Sequence, residues 1–210
     1  MSFRVDPPAV YLITEGRATD LNFEDSRRQI LDIVRIALEE NISLIQIREK
    51  QLSARRLFEL AAAASEITRG TATHLLVNDR ADIAFAARAD GVHLTASSLP
   101  VTVIRNGFPK EFVIGVSTHT FDATSRAAKD GADFAVFGPI FDSPGKGDLV
   151  GIEALSEVCE RSRPFPVIGL GGIDGTNFES VLATGASSIA AIRSLNDPDS
   201  LRSIAGKLRK

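Results

Sequence analysis

Eight short apolar runs alternate strictly with eight helical patterns along this chain, and no other feature of the sequence constrains the fold as much. The first run, AVYLIT at residues 9–14, is followed by FEDSRRQILDIVRIALEE at residues 23–40. In that second segment Ile30, Ile33 and Ala37 recur on one helix face, whereas the first has the length and composition of a buried strand. Repetition of strand and helix in this order predicts βα units and a parallel sheet.

The remaining elements follow the same order. The predicted strands are residues 9–14, 43–48, 73–77, 90–94, 112–117, 133–138, 166–170 and 187–192. The predicted helices are residues 23–40, 52–69, 82–88, 99–107, 121–130, 151–162, 176–185 and 197–209. Ser53 is placed to cap the second of these helices.

Eight βα units in 210 residues predict a closed barrel rather than an open sheet. This length is close to the lower limit of a (β/α)8 barrel, and an open sheet of eight parallel strands would leave hydrophobic edges. With 44% hydrophobic and 24% charged residues the chain can bury a sizeable core, and no linker or shift in composition divides it. We therefore expect an α/β fold, a single TIM barrel, with residues 1–210 forming one domain.

Charge and composition exclude several classes of partner. A net charge of -3 with no Lys/Arg-rich run gives no electrostatic footprint for nucleic acid or an anionic membrane. No membrane-spanning run or signal peptide is recognisable, so we expect a cytoplasmic protein. The single cysteine, Cys159, excludes an internal disulfide framework and lies in a helical pattern with no nearby histidine, which favours an inert thiol. Small molecules are the expected ligands.

In a barrel of this kind the active site lies where the strands end, so polar residues just past each strand are the candidates. From the second strand to the eighth, the candidates are Gln46, Arg48, Lys50, Asn78, Asp79, Ser98, Ser117, His119, Ser143, Lys146, Gly171, Gly172, Arg193 and Ser194.

The second strand places Gln46 and Arg48 on one face. A barrel interior buries such groups only with polar partners, and a bound anion would supply one. The alternative is a structural ion pair of Arg48 with Glu49 or Asp79.

Asn78 and Asp79 directly follow the third strand. Their oxygens suit a hard cation such as Mg²⁺, although both residue types are also common helix caps.

Three further positions have a functional and a structural interpretation. The adjacent glycines Gly171 and Gly172 suit either a phosphate-binding loop or a tight turn. His119 could relay a proton at the end of its strand or simply pack a loop, while His93 and His74 are expected to be structural. The segment FGPIFDSPGKGDL at residues 137–149 could be an active-site lid or a surface turn.

Taken in order, several motifs together resemble one family. The resemblance extends from Tyr11 to about Leu195 and rests on YLIT, QIREK, VNDRADIA, ADGVHL, IGVSTHT, DGADFAVFGPIF and IGLGGI. This set resembles the thiamine-phosphate synthase and thiazole tautomerase family, whose members are (β/α)8 barrels. The resemblance implies a transferase of thiamine biosynthesis. In that reaction an aminopyrimidine methyl diphosphate loses diphosphate with the help of Mg²⁺, and the nitrogen of a thiazole phosphate captures the methyl cation.

The resemblance also implies roles for matching residues. Arg48, Lys50, Ser117, His119 and Lys146 become catalytic candidates. Gln46, Asn78, Ser143, Gly171, Gly172, Arg193 and Ser194 become candidates for binding phosphorylated substrates. Asp79 and Ser98 become the metal candidates. Two cations and Mg²⁺ around a departing diphosphate would stabilise the charge that develops on it.

Three departures from the synthase pattern keep alternatives open. Ser98 stands where a synthase has a second metal-binding aspartate, so Mg²⁺ is expected to bind more weakly. Asp142 to Lys146 keeps one hydroxyl and the lysine of the synthase loop, and Arg193 replaces a common serine. The alternatives are a thiazole phosphate tautomerase that uses His119 and a barrel that binds a phosphorylated ligand without turnover. A homo-oligomer is also left open.

Overall fold

The computed structural model describes residues 9–142 and 148–209, which form a closed barrel of eight parallel strands. Each strand pairs with its neighbour in sequence, and β8 pairs with β1 to close the ring. The strands are β1 (Ala9–Ile13), β2 (Leu44–Ile47), β3 (His74–Asn78), β4 (Gly91–Leu94), β5 (Val113–Thr118), β6 (Phe134–Phe137), β7 (Val167–Leu170) and β8 (Ser188–Ala191). The predicted (β/α)8 TIM barrel is confirmed.

Helices separate the strands. They are α1 (Phe23–Glu39), α2 (Ala54–Thr68), α3 (Ala81–Ala86), α4 (Val101–Gly107), α5 (Phe121–Lys129), α6 (Gly151–Ser162), α7 (Phe178–Ala183), α8 (Arg193–Asn196) and α9 (Pro198–Leu208). The Ser53 side chain accepts a hydrogen bond from the Arg56 N–H, so the predicted cap of α2 is confirmed. Across the ranges that the structure describes, no helix has both the length and the apolar character needed to cross a membrane.

The described residues contain one more helix than the sequence predicted, the single turn α8 after β8. The Asn196 side-chain amide donates to the Ile13 carbonyl at 2.8 Å and so ties this turn to β1. The Asp197 carboxylate then caps α9 by accepting from the Ser200 N–H at 2.8 Å. The long-range contact of Asn196 and the local cap by Asp197 together explain why α8 ends and α9 begins within two residues.

Alternation along the strands divides the buried residues into two groups. On β2, Ile45 and Ile47 face outward and join the large apolar layer between the strands and the helices. Leu44 faces inward and packs with Tyr11, Phe134 and other residues that fill the barrel interior. Side chains therefore fill the barrel itself, and the open space lies at its mouth, the end where the strands have their C-termini.

Candidate active site

A cavity of about 610 Å³, which we call the large cavity, lies at the barrel mouth between the loops after β1, β2, β6, β7 and β8. Five predicted site residues line it together, namely Arg48, Gly171, Gly172, Arg193 and Ser194. Residues 15, 17, 142, 173 and 174 complete much of the wall. The loop ends of strands far apart in sequence therefore form one compartment.

A second group of predicted residues lines two smaller cavities beside β2, β3 and β4. Lys50, Asn78 and Asp79 line a cavity of about 300 Å³ together with Thr95 and Ser97. Asp79 also lines a cavity of about 430 Å³ that Ser98 shares. Asp79 is thus common to both spaces, and its side chain is exposed at the mouth.

Five polar side chains form a continuous hydrogen-bonded chain across the upper part of the barrel interior. Ser117 Oγ lies 2.9 Å from His93 Nε2, and His93 Nδ1 lies 3.2 Å from the Tyr11 hydroxyl. Tyr11 donates to Gln46 Oε1 at 3.1 Å, and Gln46 Nε2 donates to Asn78 Oδ1 at 3.0 Å. We call this row of side chains the polar chain. It joins the mouth at β5 to the mouth at β3.

The polar chain meets one expectation and corrects another. Gln46 was expected to need a polar partner, such as a bound anion, and Tyr11 and Asn78 supply that partner. Tyr11 was not among the predicted site residues, and His93 was expected to be only structural, yet the two link Gln46 to Ser117. Both could have been identified from the strand pattern of the sequence, because all five polar residues occupy inward-facing positions on β1 to β5.

Burial keeps the two central members of the polar chain neutral. Loss of solvent, with a smaller contribution from the nearby Arg48 guanidinium, lowers the pKa of His93 to about 3. Burial also raises the pKa of Tyr11 well above its ordinary value. Near neutral pH each therefore serves as an uncharged donor and acceptor.

Arg48 makes no ion pair within the described ranges, so the structural pairing with Glu49 or Asp79 is absent there. The Glu49 carboxylate instead accepts from the Gly16 N–H at 3.0 Å and the Ala18 N–H at 2.8 Å. Glu49 thereby fixes the loop after β1, and the Arg48 guanidinium stays available at the wall of the large cavity.

Asp79 is not the cap of the following helix. Helix α3 starts at Ala81 without a side-chain cap, and the Asn78 side chain is committed to Gln46. Asp79 has a left-handed backbone, with φ of 63°, and its N–H donates to the His93 carbonyl at 2.9 Å. The backbone of β4 therefore holds the Asp79 carboxylate at the mouth.

The oxygen atoms around Asp79 suit a cation whose coordination shell is completed by oxygen atoms of the substrate. Within the described ranges they do not form a site in which the protein supplies every ligand. In the described part of the chain, no three His, Cys, Asp or Glu side chains are grouped to hold a metal ion. Ser98 Oγ accepts from the Thr95 N–H at 2.8 Å and so closes its own turn. One carboxylate with substrate oxygens and water is a common ligand set for Mg²⁺, and the residues present fit that arrangement.

The two glycines after β7 are required by the close approach of a neighbouring loop. A Cβ on Gly171 would lie 2.7 Å from Pro139 Cα, and one on Gly172 would lie 2.6 Å from the Asp142 carbonyl oxygen. The Phe141 N–H donates to the Gly171 carbonyl at 3.0 Å, which ties the loop after β6 to the loop after β7. Backbone packing thus shapes this wall of the large cavity.

Some of the polar groups on the same wall form hydrogen bonds within the loops. The Asp174 carboxylate accepts from the Thr176 hydroxyl and N–H, and these hydrogen bonds lower the pKa of Asp174. Ser194 Oγ donates to the Ile173 carbonyl at 2.8 Å, whereas Arg193 is exposed and, among the described residues, has no ion-pair partner. The cavity wall therefore retains Arg193 as an available cation.

His119 lies at the end of β5, as predicted, and is exposed. Its Nδ1 donates to the Gly138 carbonyl, which leaves Nε2 as the acceptor nitrogen. Ser143 and Lys146, two predicted contacts for phosphate, lie outside the described residues.

Comparison with known proteins places these features in one family context. Residues 10–195 match the family described as thiamine monophosphate synthase. A putative thiamine-phosphate synthase of Geobacter sulfurreducens is 40% identical over 195 residues, which cover 91% of this chain and 88% of that protein. The chloroplastic thiamine biosynthetic bifunctional enzyme of Arabidopsis thaliana is 36% identical over 99% of this chain, which spans 40% of that longer protein. The solved structure of thiamine phosphate pyrophosphorylase from Pyrococcus furiosus superposes with a TM-score of 0.84 at 28% identity, covering 98% of this chain and 97% of that one.

Proposed function

The chain belongs to the thiamine monophosphate synthase family, and from that premise we propose that it joins an aminopyrimidine methyl diphosphate to a thiazole phosphate with release of diphosphate. In this reaction the bond between the methylene carbon and the diphosphate oxygen breaks, and its electron pair leaves with diphosphate. The thiazole nitrogen then donates its lone pair to the carbon.

The observation that carries the proposal is the availability of cations at the barrel mouth. The Arg48 guanidinium and the exposed Lys50 make no ion pair in the described ranges. Lys50 lines a cavity with Asn78 and Asp79, and Arg48 lines the large cavity. Departure of diphosphate concentrates negative charge on its oxygens. Preplaced cations stabilise that charge in the transition state more than in the ground state.

Asp79 is the residue that would hold Mg²⁺, and the ion would neutralise charge on the leaving diphosphate. Its side chain accepts no hydrogen bond from the described residues, so it can serve as a ligand without breaking a structural contact. Ser98 lines the same cavity of about 430 Å³ and is the second metal candidate, through its hydroxyl or a water molecule.

The remaining predicted residues divide between the two substrates. Ser117, Gln46 and Asn78 belong to the polar chain and suit the pyrimidine and its diphosphate. The glycines and Arg193 line the large cavity, which suits the thiazole phosphate. Ser194 lines the same cavity, and Ser143 and Lys146 are proposed for the same phosphate groups on the sequence resemblance alone.

The direct test is to incubate the pure protein with both substrates and Mg²⁺ and to follow diphosphate release. Turnover that EDTA abolishes supports the synthase reaction. Binding of both substrates without turnover contradicts it and indicates a barrel that only binds phosphorylated ligands.

A second candidate activity rests on His119. Because Nδ1 is committed to the Gly138 carbonyl, Nε2 can accept a proton from a bound thiazole. A thiazole phosphate isomerase would exchange ring protons with solvent in the absence of the pyrimidine, and His119→Ala would remove that exchange. Exchange without diphosphate release would favour this activity over the synthase.

A further inference from the structure

The hydrogen bonds of the polar chain run in one direction. Tyr11 has one hydroxyl proton, and it donates that proton to Gln46 Oε1. The Tyr11 oxygen must then accept from His93 Nδ1, which lies 3.2 Å away. His93 is buried, and with its single proton on Nδ1 it must accept at Nε2 from the Ser117 hydroxyl, 2.9 Å away.

The two ends of the polar chain consequently differ in what they offer at the mouth. Ser117 has used its only proton on His93, so its oxygen can only accept further hydrogen bonds. Asn78 receives the Gln46 amide at Oδ1, so its Nδ2 protons remain for a ligand. One end is an acceptor and the other is a donor.

We propose that Tyr11 and His93 are positioning residues that fix this polarity, so that Ser117 selects a pyrimidine bearing an amino group and Asn78 donates to the anionic end of the same substrate. The assignment rests on the proposed function for the identity of the reaction. It adds a specificity role for two residues that need not touch the substrate. An oxo group in place of the amino group would face the Ser117 oxygen with a second acceptor, and neither would have a proton to share.

Packing around the phenol holds the arrangement in place. The Phe134 ring meets Tyr11 edge-on with 5.7 Å between ring centroids. Gly115 leaves room for the Phe134 and His93 rings, because a Cβ there would lie 2.4 Å from Phe134 Cζ and 2.9 Å from His93 Nδ1. The rings therefore have little freedom to rotate away from their hydrogen-bond partners.

Tyr11→Phe breaks the polarity while keeping the ring. Without the phenol oxygen, a proton on His93 Nδ1 would be buried with no acceptor, and such an unmet donor is costly. The His93 proton should move to Nε2 and point at Ser117, whose own proton then becomes available to the ligand.

The first measurement is the tautomer of His93 from the ¹⁵N shifts of the ring nitrogens. The chain has three histidines, so variants of His74 and His119 assign the signals by elimination. We expect an Nδ1–H tautomer in the parent protein and an Nε2–H tautomer in Tyr11→Phe. An Nε2–H tautomer in the parent would overturn the proposal, and this outcome does not depend on whether the protein has synthase activity.

The second measurement is substrate selection. We expect the parent to bind the aminopyrimidine methyl diphosphate at least roughly 100-fold more tightly than its oxo analogue, and Tyr11→Phe to narrow that ratio by roughly tenfold or more. The KM for the thiazole phosphate should stay unchanged in the variant.

A matched control separates polarity from lost stability. Thr73→Val also removes a buried hydroxyl, which donates to the Ile42 carbonyl at the opposite end of the barrel. We expect Thr73→Val to lower Tm about as much as Tyr11→Phe does. We expect it to leave unchanged the ratio of affinities for the amino and oxo substrates. A Tyr11→Phe protein that folds and keeps the parental ratio would refute the positioning role. Binding that shows the ratio in a protein without turnover would retain the role and reject the synthase reaction instead.

Discussion

The two halves of the barrel mouth are built in different ways. In the half formed by β1 to β5, side chains set the geometry, because Tyr11, Gln46, Asn78, His93 and Ser117 bond to one another across five strands. In the half formed by β6 to β8, backbone sets the geometry. Gly171 and Gly172 allow the loops after β6 and β7 to lie against each other, and Leu170 and Gly171 accept hydrogen bonds from the facing backbone.

This difference indicates a division of labour. The side-chain half presents an acceptor, a donor, two cations and a carboxylate, which suits a substrate that must be oriented and made to react. The glycine half presents a cavity walled largely by backbone, with Arg193 as its own cation and the Arg48 guanidinium reaching it from β2, which suits a phosphate that only has to be held. Substitutions in the first half should therefore change kcat, and those in the second should change KM for the thiazole phosphate.

The largest expected effect is that of Arg48→Ala. Removing the guanidinium should lower kcat for diphosphate release by roughly 10²- to 10³-fold, because the cation acts on charge that develops in the transition state. The measurement is steady-state kinetics with each substrate varied in turn. Arg55→Ala is the control, since that arginine is 86% exposed on α2 and pairs with Glu59. If Arg48→Ala raises only KM, the guanidinium binds substrate without stabilising the transition state. That result would contradict the division of labour between the two halves of the mouth.

Gly172→Ala tests the other half. The methyl group would meet the Asp142 carbonyl, and φ of 63° is strained for alanine, so we expect a loss of about 3 kcal/mol in unfolding free energy. The KM for the thiazole phosphate should rise while kcat changes little.

Gly70→Ala is the matched control for that variant. Gly70 has a φ of 76°, but a Cβ added there would have no neighbouring atom within 4 Å, so it shares the strain without the crowding. We expect a loss of about 1 kcal/mol and parental kinetics. The losses in unfolding free energy are measured by urea unfolding. Equal losses in the two variants would show that backbone conformation alone makes glycine necessary at residue 172, and that the close contact between the loops adds nothing to the cost.

The sequence predicts the side-chain half better than the glycine half, and the reason is physical. Strand period and helix period are local properties, so they predict the barrel and the strand ends at which Arg48, Asn78 and Ser117 lie. The approach of residues 139–142 to Gly171 joins segments some 30 residues apart in the chain, and no local pattern encodes it.

Within the side-chain half, Tyr11 and His93 were not predicted as site residues, for a different reason. Each lies in a short apolar strand, where an isolated aromatic or histidine is usually a packing residue. Side chains alternate between the inner and outer faces along each strand, and only this alternation places Tyr11 and His93 on the same inner face as Gln46 and Ser117. An enclosed inner face exists only once the barrel is closed. The extra turn α8 was missed because its stabilising contact, from Asn196 to the Ile13 carbonyl, links opposite ends of the chain.

A smaller effect is expected for Asp79→Asn, which tests whether the metal belongs to the side-chain half. The amide keeps the shape but loses the charge, so the Mg²⁺ concentration that gives half-maximal activity should rise by roughly tenfold. Asp122→Asn removes an exposed carboxylate from the first turn of α5 and should leave the titration unchanged. An unaltered titration in Asp79→Asn would remove Asp79 from the metal site.

The smallest expected effect is that of Ser98→Asp, which adds charge to the same cavity. An aspartate oxygen can still accept from the Thr95 N–H, so the turn that Ser98 closes should persist. With a second carboxylate beside Asp79, the Mg²⁺ concentration for half-maximal activity should fall by about threefold, since more anionic oxygen ligands bind Mg²⁺ more tightly. Ser97→Asp places the same charge one residue away on the same cavity wall. A fall confined to Ser98→Asp would support coordination at that position, whereas equal falls in both variants would mean that negative potential at the mouth, without a defined ligand at Ser98, is sufficient.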